Sequence, residues 1–197
     1  MCWNATVSMN TFLFSMFAVG LASLNGVVAG PYLAYYTVFS SMQLIEYFLW
    51  SQPANNAFWS KVGLAIVLLQ PFVGLTRISD PKIRNAAWAV AALTLGVVLT
   101  VVKPLGTIDF SSVRAPNGHL AWNWLKFPAY VFAIYVAFHL LPSLSNGSYV
   151  SGAIEAAIIF GIYLTYRESG TWGSMWCWIA NAVGLGFLYL VAKKSSC

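Results

Sequence analysis

Long apolar runs separated by short polar links make up most of the chain. A membrane-spanning helix takes about 20 mostly apolar residues, and seven such segments follow one another. They are expected over Ser8–Leu24, Pro31–Ser51, Ala57–Thr76, Asn85–Val102, Trp122–Leu141, Ser148–Tyr166 and Thr171–Val191. The links carry helix breakers: Asn25-Gly26, then Gln52-Pro53-Ala54-Asn55-Asn56, then Pro142 with Ser143 to Gly147, then Arg167-Glu168-Ser169-Gly170. Arg77 to Arg84 forms a tight charged loop, and Pro31 falls in a first turn, where proline is tolerated. The longest connection, Lys103 to Ala121, holds Asp109, Arg114 and His119. No internal repeat is evident, so a transporter built on inverted repeats gains no support. Residues 1–197 are expected to form a single all-α domain, a polytopic seven-transmembrane-helix bundle.

Composition moves the argument from buried core to membrane. The chain is 59% hydrophobic and 8% charged, whereas a soluble domain is about 25% charged. So few charges cannot cover a globular surface. The net charge of +5 comes from ten Lys and Arg residues scattered between the apolar runs. They form no basic stripe interleaved with aromatics, which argues against nucleic-acid binding and for a topogenic role. One side of a seven-span layout collects Arg77, Lys82, Arg84, Lys193 and Lys194; the other collects Lys61, Lys103, Arg114, Lys126 and Arg167. The first set is concentrated in a short loop and a tail, which favours that side as cytoplasmic and the N-terminus as outside or lumenal. Trp3, Trp50, Trp59, Trp122, Trp124, Trp172, Trp176 and Trp178 then form an aromatic belt near the outer face. The opening residues lack the basic stretch of a cleavable signal, so the first span is expected to stay.

Polar residues inside the apolar runs are the candidates for chemistry. Gln43 and Glu46 lie one turn apart on one helix face, and an ionisable group in a bilayer needs a partner, a cavity or a task. Ordered by depth, Glu46 falls near the outer end of the second span, Gln43, Gln70 and Asn181 nearer the middle, and Glu155 and His139 in the inner half. Such a ladder is what a proton or small-cation path would use. No Lys or Arg is expected at mid-depth as a fixed counter-ion, so Glu46 and Glu155 are expected neutral or facing a mobile cation. Pro71 frees a carbonyl near Val67, beside the Gln70 amide. The competing reading makes Gln70, Asn181 and the hydroxyls of Ser8, Thr11, Ser15, Ser148, Ser151 and Ser174 interhelical glue, and gives His139 a capping or interfacial role.

Other chemistry finds little footing. Every lysine lies at or beyond a span end, which argues against a Schiff-base photoreceptor. There is no HExxH, GxSxG or P-loop pattern and no CxxC metal spacing, so no metal or cofactor is expected, and a membrane enzyme ranks only third among the readings, since no catalytic constellation assembles. Cys2 and Cys177 fall near the same face; a disulfide between them and two separate buried thiols are both open.

Met1-Cys2-Trp3, Ser41-Met42-Gln43-Leu44-Ile45-Glu46-Tyr47-Phe48-Leu49-Trp50, Leu69-Gln70-Pro71 and Gly173-Ser174-Met175-Trp176-Cys177-Trp178-Ile179-Ala180-Asn181 together give the chain a recognisable profile. In these stretches it resembles a family of multi-pass membrane proteins that open with Met-Cys-Trp and occur in giant viruses and some protists. The resemblance spans nearly the whole chain and implies no activity; it marks Cys2, Gln43, Glu46, Gln70 and Cys177 as motif residues. The Ala-, Gly- and Val-rich composition departs from the Lys- and Asn-rich style of many viral members. The leading expectation is a channel or simple transporter for a proton or small cation, with Glu46, Gln43, Gln70, Glu155, Asn181 and His139 along its path. The alternative is a non-catalytic membrane component that binds lipid, pigment or a partner subunit, with a homo-oligomer left open.

Overall fold

A computed structural model describes residues 3–195. Seven α-helices run in order: α1 (Ala5–Leu24), α2 (Gly30–Ser51), α3 (Asn56–Leu75), α4 (Pro81–Val97), α5 (Ala129–Ser145), α6 (Tyr149–Tyr166) and α7 (Trp176–Ser195). Their ends follow local chemistry. The Asn4 side chain accepts from the Val7 amide at 2.9 Å, and the Asp80 carboxylate accepts from the Lys82 and Ile83 amides at 2.7 and 3.3 Å. These are N-caps that satisfy orphan donors. Gly26 and Gly147, at φ 62° and 74°, take the left-handed conformation that turns the chain after α1 and α5.

Five helical stretches are long and apolar enough to cross a membrane: Ala5–Leu24, Pro53–Leu75, Pro81–Val102, Tyr149–Tyr166 and Trp172–Ser195. The expected second and fifth spans differ. Helix α5 has only 17 residues, and α2 carries Gln43, Glu46, four tyrosines and four serines or threonines in 22 residues. Position explains α2. It packs against α1, α3 and α7, so protein surrounds much of it and a lipid-facing composition is not required.

The largest departure lies between α4 and α5. Ser112–Arg114 (β1) pairs antiparallel with Leu120–Trp122 (β2), Val113 opposite Ala121. The fifth helix therefore starts at Ala129, behind Pro128, and not at Trp122. The hairpin folds into one end of the bundle. Trp122 and Trp124 stack at 4.9 Å and 11°, and at 2% and 0% exposure they join Met42, Ile45, Leu64 and Val67 in an apolar core. The expected aromatic belt is corrected accordingly. Trp3 and Trp178 are exposed at 43% and 53%, whereas Trp122, Trp124 and Trp176 are buried.

The opposite end is closed by loops. Lys194 Nζ donates to the Asn25 carbonyl at 2.6 Å, while the Asn146 side chain donates to the Arg77 carbonyl and accepts from the Ser79 amide. Arg77, Lys82, Arg84, Lys193 and Lys194 thus share this end, called basic below; the hairpin end carries Lys103, Arg114, Lys126 and Arg167.

Candidate functional site

The polar residues predicted as one ladder fall into two separate groups. The first is a seam among α1, α2 and α7. Tyr36 donates to Ser15 Oγ at 3.3 Å and to the Ala180 carbonyl, and Asn181 Nδ2 donates to Thr11 Oγ1 at 3.3 Å. These bonds set the helix register. At 1.5 Å per residue, Gln43 comes level with Ser8 and Ser174, and Glu46 lies about one turn nearer the hairpin. Ser8, Ser15, Ser40, Gln43, Glu46 and Ser174 are all at most 1% exposed. Cys177 is also fully buried, with its Sγ 3.2 Å from the Ser174 carbonyl. The disulfide considered above involves Cys2, which lies outside the described residues.

The second group runs through α3, α5, α2 and α6. Gln70 on α3 accepts from the Tyr135 hydroxyl at 2.7 Å. Tyr135 is four residues before His139 on α5, and their rings meet at 4.5 Å. His139 is fully buried, its Nδ1 sits 2.9 Å from the Tyr35 hydroxyl, and its Nε2 has no hydrogen-bond partner among the described residues. It is an interior residue and caps nothing. Tyr35 in turn lies under Arg77, whose guanidinium carbon is 4.0 Å from the ring centroid. Glu155 Oε2 accepts from Ser143 Oγ at 3.4 Å.

Arg77 corrects an expectation. It follows the end of α3, yet its side chain turns back into the bundle instead of pointing away from it. Its Nε donates to the Gly74 carbonyl at 3.2 Å and its Nη2 to the His139 carbonyl at 3.4 Å. Glu155 therefore has a cation lining the same cleft. A long arginine stem lets a residue at a helix end place its charge a turn or more inside.

Several spaces adjoin this second group, three of them along its line. A cleft of about 290 Å³ opens near the hairpin end, with Lys126, Arg167 and Glu168 on it and Val67, Phe132 and Tyr135 deeper. A cleft of about 420 Å³ at the basic end is lined by Tyr35, Arg77 and Glu155, with Ile159 and Trp176 deeper. Between them a void of about 10 Å³ touches Gln70, Tyr135, Trp172 and Trp176, about the space of one water. Tyr135 borders both the first cleft and the void, and Tyr35 borders the second cleft. Tyr135, His139 and Tyr35, with Trp172 and Trp176 beside them, form the septum between the clefts. Glu46, Gln43 and Asn181 line none of these three spaces.

Tyr35, Tyr135 and Arg77 were missed as site residues. The Tyr135–His139 spacing of i, i+4 was readable on one helix; the partnership of Tyr35 and Arg77 with His139 needed the tertiary contacts. Among the described residues, no three His, Cys, Asp or Glu side chains gather as metal ligands would. Comparison with family models, with curated proteins and with solved structures gave no match.

Proposed function

We propose that the protein conducts protons, or a comparably small cation, between the two clefts, with His139 as the exchanging group. The observation that carries this reading is the line Gln70–Tyr135–His139–Tyr35, hydrogen-bonded at its two ends and joined in the middle by the ring contact of Tyr135 with His139, with a charged cleft at each end. Imidazole suits the step because both ring nitrogens take part. A proton taken up at Nε2 lets Nδ1 release its own to the Tyr35 oxygen, and Tyr35 passes its hydroxyl hydrogen into the basic-end cleft. Tautomer exchange then resets the ring, and no heavy atom crosses the septum. Glu155 is the acceptor in that cleft, and Arg77 keeps other cations from accumulating beside it.

In this reading α2 and α5 cross the bilayer with the five apolar stretches, giving seven spans. The basic end, with Lys193 and Lys194 in the last turn of α7, is cytoplasmic, and the hairpin end is outside or lumenal. Glu46, Gln43 and Asn181 belong to the helix-packing seam and not to the path.

The test is reconstitution in liposomes containing a trapped pH-sensitive dye. His139→Asn keeps a polar side chain but cannot carry the proton, and is expected to lower proton flux at least tenfold, a modest share of the ~100-fold or more typical of positioned acid–base groups. Replacing the proton gradient by a sodium or potassium gradient separates proton from cation movement. Undiminished flux in a folded His139→Asn variant refutes the relay.

A further inference from the structure

The basic-end cleft has two chemically unlike halves. One half holds the Arg77 guanidinium, the Glu155 carboxyl and the hydroxyls of Ser143, Ser148 and Ser151; the other is walled by Ile158, Ile159, Ile179, Val183 and Phe187. Its polar half lies beside the loops that follow α3 and α5, at the level of a membrane interface. Its apolar half reaches towards mid-bundle. The cleft also opens sideways. Helix α6 packs on α5 and on the Trp172–Met175 turn, and the cleft-lining Ile154 and Ile158 of α6 and Val183 of α7 are 57%, 42% and 37% exposed. At about 420 Å³ it is within the range of ligand-sized pockets.

The polar half is built, not incidental. Two of the five guanidinium N–H donors of Arg77 are held by backbone carbonyls, and its flat face rests on Tyr35 and lies 5.5 Å from the ring of Tyr32. That fixes the group and leaves donors for an anion. Glu155 is steadied by Ser143. A guanidinium and a carboxyl on one small cleft are poorly matched to a purely anionic headgroup, which would set like charge beside Glu155. They match an ammonium and a phosphate joined by a short linker. We infer that this cleft binds a zwitterionic phospholipid of the ethanolamine type. Its phosphate pairs with Arg77, its primary ammonium donates to Glu155, and one acyl chain lies along the isoleucine and phenylalanine wall between α6 and α7. This site shares Arg77 and Glu155 with the proposed proton exit, but its test stands apart from that reading, because lipid retention is measured without any gradient.

The experiment is native mass spectrometry of the full-length protein in mild detergent, titrated with ethanolamine, choline and glycerol phospholipids of identical acyl chains. The ethanolamine lipid is expected to be retained about tenfold better than the glycerol lipid, the size of one charge-assisted hydrogen bond. Glu155→Gln is expected to erase that preference while phosphate binding persists. Arg77→Gln is expected to weaken retention of all three lipids about tenfold, and Arg77→Lys to recover part of it. Should either charge variant fail to fold, Ser151→Trp, which fills the mouth from an exposed position on α6, is expected to displace the lipid. Equal retention of the three lipids by wild type, a choline lipid held as well as the ethanolamine lipid, or retention unchanged by Ser151→Trp overturns the assignment.

Discussion

Replacing Gly173 by alanine sets two stacked indoles against a methyl group that has no room. A Cβ at Gly173 would lie 2.4 and 2.5 Å from Trp122 Cε3 and Cζ3. Carbon atoms pack at about 3.5–4.0 Å, so the ring must retreat by about 1 Å. It has nowhere to go. Trp122 is stacked on Trp124, and Trp124 donates to Ser112 Oγ at 3.0 Å. On the far side, a Cβ at Gly63 of α3 would already meet Trp124 Cζ2 at 3.1 Å. The indole pair is clamped between two glycines. Overpacking of this kind costs about 1–3 kcal/mol, and the rigid stack puts Gly173→Ala at the upper end. Thermal unfolding in detergent, followed by tryptophan fluorescence, is expected to show a midpoint about 5–10 °C lower. Gly161→Ala, with nothing within 4 Å of its Cβ, is the neutral control, and Gly63→Ala should fall between. Adding Trp122→Leu to Gly173→Ala removes the clashing ring atoms. The double variant is then expected to be no less stable than Trp122→Leu alone, which is positive coupling in a mutant cycle. A Gly173→Ala protein that melts with wild type, or additive losses in the cycle, refutes the clamp.

Three further outcomes follow from the site. Tyr35→Phe keeps the ring under Arg77 but strips His139 Nδ1 of its partner; stability should fall by about 1–2 kcal/mol more than for a surface control, with proton flux falling as in His139→Asn. Glu46→Gln should leave liposome flux within about twofold, since the group lines neither cleft nor void, a change too small for a lost acid–base group; abolished flux would return the outer half of α2 to the path. Asn181→Ala removes the 3.3 Å bond to Thr11 and should lower stability by about 0.5–1 kcal/mol, read as a shifted unfolding midpoint with unchanged flux.

Much of the helix layout was legible. The expected segments Pro31–Ser51 and Ser148–Tyr166 lie within a residue of α2 and α6, because each is an uninterrupted run closed by Gly, Pro or a charged turn. The hairpin was not legible, because three-residue strands are too short to show a period of two. Its tryptophans also read as the start of the next apolar run. The polar ladder was only half legible. Position along a helix gives the depth of a side chain, but not the neighbour it faces. Gln43 and Gln70 are both deep, yet one lies on the α1–α2–α7 side and the other meets Tyr135 on α5.

The sequence alone determined the class of environment, since 8% charged residues and repeated apolar runs cannot cover a water-exposed globule. It also marked the polar side chains that stand inside the apolar runs, of which Gln43, Glu46, Gln70 and His139 are buried whereas Glu155 and Asn181 are only partly so. Only the tertiary structure decided which of them meet. Packing azimuth, the inward turn of Arg77 and the Trp122–Trp124 clamp all depend on contacts between residues distant in the chain. No local pattern encodes such contacts.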